Sequence, residues 1–420
     1  MRSFGAILLA ALTFGLATPA KAQDPLAHTA FLELQEICSA DRGRLWGADL
    51  CGPLLVVDPA TRMAWASQPD DGGILSVTDT GWIGELPADV TVANTSVNWA
   101  GTQWIMVVAP LPADGAERRV LLAHEAWHRV QNRLGLTAGP STCAHLETER
   151  GRYLLRLEMR ALATALRSRG AGRRNAAQDA LFVRALRHAE FPEAAAQEAA
   201  LDRNEGLAAY TGVRLGAGEN TELFAARLLD RYDEHDAFAR SYAYATGPGY
   251  GLLLDAERSN WRSRLGGYAP ADMLREELRP PAFDEARLNE IAYRYGGGRI
   301  AGEEANRARE REALVGDARR RFAEGPRLVL PVANMQMEFD PERVTPIEGL
   351  GSIYATLSVR DAWGELRAAS GALISADFTR IVLPQPDASG LAGPGWSVSL
   401  VPGARVGGPD AQGIRRVTGP

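Results

Sequence analysis

The spacing of apolar positions changes character twice along the chain. From residue 24 to 90 the apolar residues come in short or alternating runs, such as Leu54 to Val57 and Arg62 to Ser67, separated by Asp58-Pro59-Ala60-Thr61. Alternation at period two marks half-buried strands and Asp-Pro marks a turn, so this stretch is predicted to be β-rich, with a hairpin at 58–61. Val97 and Trp99, then Trp104 to Val108, interrupted at Ala100-Gly101-Thr102, predict two further strands between Thr91 and Pro110. Beyond Pro112 the period lengthens. Asp114 and Glu117 form an Asp-x-x-Glu capping pattern, and Gly135 is a candidate C-cap, which together frame a helix around Val120 to Gln131. His145 to about Leu229 reads as more helices, broken at Gly170-Ala171-Gly172 and Phe191-Pro192. Ser241 to Asp255, rich in Tyr and Gly around Gly247-Pro248-Gly249, reads as a turn between helices. A charged helix from about Gly302 to Ala323 ends at Gly325-Pro326. After it, Leu328 to Val332, Met335 to Phe339, Ile353 to Val359, Ala372 to Ile374, Arg380 to Leu383 and Trp396 to Val401 predict a small β-sandwich-like module.

These elements predict an α+β chain in four parts: a leader over 1–22, a β-rich part over 23–90, a region over 91–325 that is mostly helical after 113, and a C-terminal β-domain over 326–420. Met1-Arg2, the apolar stretch Phe4 to Ala17, Pro19 and the small-x-small site Ala20-Lys21-Ala22 predict a secretory signal peptide cut before Gln23, hence a periplasmic or secreted protein. No later apolar run approaches the roughly 20 residues needed to span a bilayer, so no stable membrane insertion is expected. With 420 residues, 46% hydrophobic and 23% charged, the chain has material for two or three cores. A net charge of −6 argues against nucleic acid as a partner, since phosphate binding wants a concentrated positive surface. Lys21 is the one lysine, and the Arg-rich stretch Arg150 to Arg187, interleaved with Glu, reads as a solvated face. Cys38 and Cys51 bracket a short loop and suit a disulfide in an oxidising compartment, the alternative being two buried thiols. Cys143 is left over and reads as a small buried or free thiol.

The chemistry concentrates at His124-Glu125-Ala126-Trp127-His128. On a helix a step of four residues returns to nearly the same face, so both imidazoles project one turn apart, with Glu125 about 100° round. Neutral imidazole is a good zinc ligand, and a catalytic zinc site commonly keeps three protein ligands and one open position. Glu125 would then stand beside the ion as a base. A metzincin would continue with Gly and a third His after His128, but those positions are Gln131 and Leu134, which excludes that arrangement. His145 lies in a Gly-Pro-Ser-Thr-Cys loop and reads as a solvated histidine, and Glu147 and Glu149 read as first-turn acids of the next helix.

Downstream stands Asn204-Glu205-Gly206-Leu207-Ala208. An HExxH followed by Asn-Glu-Gly-x-Ala resembles the gluzincin class of zinc metallopeptidases, in which a glutamate on a second helix completes the metal site. The resemblance covers two short motifs in about a fifth of the chain. It implies a zincin-like catalytic region, one Zn²⁺ held by His124, His128 and Glu205, Glu125 as catalytic base, and a peptide or protein substrate. It also implies a Tyr or His donor for the oxyanion, for which Tyr210, Tyr244 and Tyr250 are candidates, and an open strand edge beside the zinc helix, assigned to Gln103 to Ala109. The stretch from His128 to Glu205 is longer than that class shows, so additional helices must fold between them. Position 209 is Ala where some families carry an acid that orients a histidine, so support must come from elsewhere. Glu158 is a candidate, its other reading being a solvent-facing carboxylate paired with Arg. Two further functions remain open on the sequence: a zinc hydrolase of a non-peptide amide or ester, and a non-catalytic metal-binding or envelope-scaffold protein.

Overall fold

Ala27, Ala30, Leu34 and Ile37 recur at helical spacing and all are buried. The computed structural model accordingly opens with a helix, α1 (Ala20–Asp41), where strands were expected. The structure describes residues 20–419 apart from 137, 138, 140, 341 and 342, with backbone alone for 20–25. All but the last three positions of the expected leader lie outside the described residues. The chain forms two compact units, dividing between Gly302 and Glu303, inside the helix Gly297–Arg319. The division thus falls ahead of the composition change at Gly325-Pro326.

In the first unit a six-stranded sheet follows α1: β1 (Leu54–Val57), β2 (Met63–Ala66), β3 (Ser76–Thr78), β4 (Gly81–Glu85), β5 (Thr95–Trp99) and β6 (Thr102–Val108), in spatial order β3-β4-β2-β1-β6-β5. The hairpin at 58–61 forms as expected, with Val57 opposite Ala64 and the Asp58 carboxylate accepting the Ala60 N–H at 2.9 Å. β1 and β6 pair in parallel, Leu54 opposite Ile105, while the other pairs are antiparallel. Alternation then sorts the side chains: Leu55, Val57, Trp104 and Met106 fill a core on one face, and Leu54, Val56, Ile105 and Val107 join the helical core on the other.

The helices are α2 (Gly115–Gln131), α3 (Glu149–Arg167), α4 (Gly170–Glu190), α5 (Ala194–Leu201), α6 (Leu207–Gly216), α7 (Thr221–Asp233), α8 (Tyr242–Glu257), α9 (Pro270–Leu278), α10 (Glu285–Arg294) and α11 (Gly297–Arg319). A π-helical turn, Asp202–Gly206, joins α5 to α6. The segment expected as a Tyr and Gly rich turn is the buried helix α8, with Pro248 inside it. The Arg-rich stretch is a solvated face only in part: Arg150, Arg167, Arg169 and Arg174 are exposed. Arg152, Arg156, Arg184 and Arg187 are buried, and each charge has acidic or carbonyl partners: Arg187 donates to both Glu198 oxygens at 2.6 and 2.7 Å, and Arg184 to Asp202 at 2.5 Å.

The second unit is a pair of antiparallel-dominated sheets around their own core. One runs in spatial order 405–406, 414–418, 327–331, 380–384, 372–375, 351–354, 344–347, the other 392–393, 396–400, 364–368, 357–361, 336–339. The run expected as one strand from Ile353 to Val359 is two, broken after Tyr354. Among the described residues no helix is long and apolar enough to cross a membrane. Cys38 and Cys51 are joined in a disulfide with Cα atoms 5.6 Å apart, and Cys143 is a buried free thiol.

Candidate metal centre

Helix α2 starts where the capping pattern placed it. The Asp114 carboxylate accepts the Glu117 N–H at 2.9 Å, and Gly135, at φ +68°, closes the far end, with Gly135 N–H bonding Asn132 O and Leu136 N–H reaching back to Gln131 O. Leu122, Ala126, Trp127 and Val130 are buried and anchor the helix. His124, Glu125 and His128 are left facing a cavity of about 680 Å³.

The other half of the site comes from the π turn and α6. Gly212 and Gly216 let α6 lie directly on α2: a Cβ at 212 would sit 2.6 Å from the Val120 carbonyl oxygen, and one at 216 would sit 2.4 Å from the Val120 nitrogen. Gly247 does the same for α8, where a Cβ would stand 2.4 Å from Gly206 Cα. These close crossings carry the π turn, and Glu205 with it, up to the histidines. Extra-residue turns of this kind recur at functional sites because they re-aim one side chain within an otherwise regular helix.

The three groups converge. His124 Nε2 and His128 Nε2 are 3.2 Å apart, and Glu205 Oε2 lies 3.4 Å from the first and 3.6 Å from the second. Tetrahedral zinc with bonds near 2.1 Å separates its ligand atoms by about 3.4 Å, and a triangle of these dimensions leaves a point roughly 2.0 Å from every corner. Glu205 Oε2 is buried with no hydrogen-bond partner, which fits an atom awaiting a cation. The residues present therefore fit a zinc ion, and among the described residues no other group of His and carboxylate ligands lies so close together.

Neighbouring amides fix the ligand orientations. Gln131 Nε2 donates to Leu136 O at 2.9 Å. A carbonyl only accepts, so this bond turns Gln131 Oε1 toward His128 Nδ1, 3.1 Å away. His128 then carries its proton on Nδ1 and directs the Nε2 lone pair inward. Asn204 Nδ2 donates to Glu205 Oε1 at 2.9 Å, leaving Oε2 for the centre. The Tyr244 ring stacks on His124 with centroids 5.4 Å apart. Gln131 and Asn204 are thus the support that residue 209 does not provide. Glu158 does not act here: it is fully buried and neither solvent-facing nor near the ligands, pairing with Arg187 at 2.5 Å and accepting from Tyr250 at 2.7 Å.

Electrostatics follow from this packing. Burial pushes the Glu125 carboxyl up, assisted by Glu205 and opposed by the two histidines. Burial also raises the Glu205 carboxyl, but the two imidazoles facing its Oε2, those of His124 and His128, outweigh it and hold the group well below the usual range. Glu125 Oε2 is buried without a partner, and its Oε1 stands 3.9 Å from His124 Nε2.

Of the three candidate tyrosines only Tyr244 lines the cavity. Tyr210 donates to Asp255 at 2.8 Å and Tyr250 to Glu158, so both hydroxyls are spent elsewhere. The expected open strand is also corrected. β6 lies between β1 and β5; of the two edge strands, β3 and β5, it is β5 whose Thr95, Ser96 and Asn98, with Asn94 just before the strand, line the cavity. Phe224, Leu228, Arg231 and Tyr232 of α7 line it as well. His145 is no solvated loop residue: its side chain is 7% exposed and its Nε2 lies 2.7 Å from Glu198. Glu147 accepts the N–H groups of Phe238 and Ala239 at 2.9 and 3.0 Å, whereas Glu149 opens α3 as expected.

Comparison with protein families, with curated proteins and with solved structures finds no match to this chain.

Proposed function

We propose that the chain is an exported zinc-dependent metallopeptidase that hydrolyses peptide bonds. The observation that carries the reading is the convergence of His124 Nε2, His128 Nε2 and Glu205 Oε2 at 3.2 to 3.6 Å, with the buried Glu125 carboxylate, its Oε2 without a hydrogen-bond partner, beside them. Zinc held there supplies Lewis-acid polarisation of a carbonyl and acidifies water. Glu125 takes the proton of the attacking water and later delivers it to the leaving amine; its burial raises its basicity for that task. Tyr244 is placed on the cavity wall beside His124 to donate its O–H to the oxygen that gains charge. The free edge of β5 offers backbone N–H and C=O groups to an extended substrate, which favours a peptide over a compact amide or ester. The Cys38–Cys51 disulfide supports export, since such bonds persist in oxidising compartments.

The test compares wild type with Glu125→Gln, metal content and cleavage of a peptide library being measured on the same samples. Wild type is expected to hold one zinc per chain and to cleave; the variant keeps the metal and loses about 10³-fold in rate, within the range for a general base. Zinc binding without cleavage by wild type would overturn the peptidase reading in favour of a metal-binding protein, and hydrolysis confined to small esters or amides would replace peptide as the substrate.

A further inference from the structure

The disulfide Cys38–Cys51 closes a loop that places Trp46 between the two helices bearing the ligands. The Trp46 ring lies 4.3 Å, centroid to centroid, from Trp127, the residue just before His128 in α2. Its Nε1–H donates to Thr211 Oγ1 in α6 at 2.9 Å, and Thr211 in turn donates to Leu207 O, at the first residue after the π turn, at 2.7 Å. The loop backbone is tied down as well. Arg129, following His128, donates from Nη1 to Cys51 O at 2.6 Å, and Arg262 donates from Nε to Leu45 O at 2.9 Å.

This matters because of how α2 and α6 meet. Glycines 212 and 216 bring α6 directly against the α2 backbone, so the register of the two helices along their common groove sets where the ligands stand. His124 and His128 ride on one helix and Glu205 leads into the other, so a slip of a few tenths of an ångström takes the third ligand out of bonding range. Trp46 alone, of the residues in this loop, engages both helices through a ring stack on one side and a directional hydrogen bond on the other. We propose that Trp46, held in place by the Cys38–Cys51 closure, is a positioning residue that sets the register of α2 against α6 and thereby the affinity of the site for its cation. The inference rests on the metal reading of His124, His128 and Glu205.

The experiment titrates zinc alone into metal-stripped full-length protein against a chromophoric chelator. Wild type is compared with Trp46→Phe, Thr211→Val and the double variant Cys38→Ser/Cys51→Ser, and circular dichroism establishes that each sample is folded. Phe keeps the apolar stack on Trp127 and removes the N–H, and Val removes its acceptor, so these two report the cross-link itself. Each variant is expected to bind zinc about tenfold more weakly, at the lower end of losses seen when groups that orient a metal ligand are removed. Val183→Ala, a core truncation in α4, separates positioning from stability: it should lower the melting temperature and leave zinc affinity as in wild type. Affinity within twofold of wild type in the folded Trp46, Thr211 and cysteine variants overturns the inference, as does an equal loss in Val183→Ala. Should Trp46→Phe not fold, Thr211→Val and the cysteine pair decide. Failure of wild type to bind zinc would instead defeat the metal reading beneath it.

Discussion

His124, Glu125 and His128 are legible in sequence because their spacing and the flanking caps describe a helix with its chemistry on one face. Tyr244 is not, because local pattern does not show which tyrosine faces the cavity: Tyr210 and Tyr250 are bound to Asp255 and Glu158, while Tyr244 lies on the cavity wall beside Glu205. Tyr244→Phe is therefore expected to lower kcat about 10²-fold with zinc affinity retained, the size of loss found when one oxyanion donor is removed. Tyr250→Phe should instead lower the melting temperature and leave kcat unchanged; steady-state kinetics beside thermal melts checks both. Asp202 was equally invisible, since it reads as an ordinary helix acid. In the fold it is buried, with Arg184 at 2.5 Å and the Tyr242 hydroxyl at 2.9 Å. Burial, countered by Arg184 and reinforced by Glu198, pushes its carboxyl up to about 6 from a model-peptide value of 3.8. The folded state then holds this proton more tightly than the unfolded chain. Its contribution to stability is complete below pH 4 and is lost as the pH rises through about 6, on the order of 3 kcal/mol. Asp202→Asn should flatten that fall, which denaturant titrations at pH 4, 5, 6 and 7 would reveal; an unchanged slope would mean that another group carries the proton.

Glycines decide how the helices meet, and here the sequence misleads. Gly247-Pro248-Gly249 has the composition of a turn, yet it lies inside α8, where a Cβ at 247 would strike Gly206. The composition reflects the space available, a quantity that local pattern does not encode. The helix α1 was missed for a different reason: its buried positions are Ala27, Ala30, Leu34 and Ile37, and small residues give a weak apolar stripe beside the strong runs at Leu54 to Val57. The sheet shows the same limit: β1, β2, β5 and β6 are readable from their own apolar runs, β3 and β4 are not, and the order that makes β5 an edge comes from the parallel pairing of β1 with β6. Gly212→Ala tests the consequence for the metal. A methyl group there meets the Val120 carbonyl oxygen at 2.6 Å and the His124 Cβ at 3.3 Å, so α6 must back away from α2. The expected cost is about 1 to 3 kcal/mol of stability for overpacking, with weakened zinc binding in the molecules that remain folded. Chemical denaturation followed by zinc titration measures the two effects separately, and normal affinity at lowered stability would show that the helix contact is not what places Glu205.

On the scale of the whole molecule the two units keep separate cores, the first spanning helices and sheet, the second confined to its strands and the end of α11. The second core was readable from the change of period after Gly325-Pro326, but Glu303 to Glu324 belongs to that unit too, since Ala318 and Phe322 pack against Ile347, Leu373 and Val382. A helix carries no mark of which core its buried face will join, so the division was placed late. Separate cores and a metal site confined to one of them lead to a calorimetric expectation. On the proposed reading zinc binds the folded first unit and not its unfolded chain, so saturating ion at about 1,000 times its dissociation constant is expected to stabilise that unit by about 4 kcal/mol. Spread over a unit of this size, that amounts to a melting shift of roughly 5 to 10 °C. Stripping the protein with a chelator should therefore lower one of two transitions and leave the other in place, and re-addition of zinc should restore it. The Glu205→Gln variant, which keeps the shape of the side chain but not its charge, should show a smaller zinc-dependent shift. Two transitions moving together would mean that the units unfold as one body; a pair indifferent to zinc would remove the metal from the account altogether.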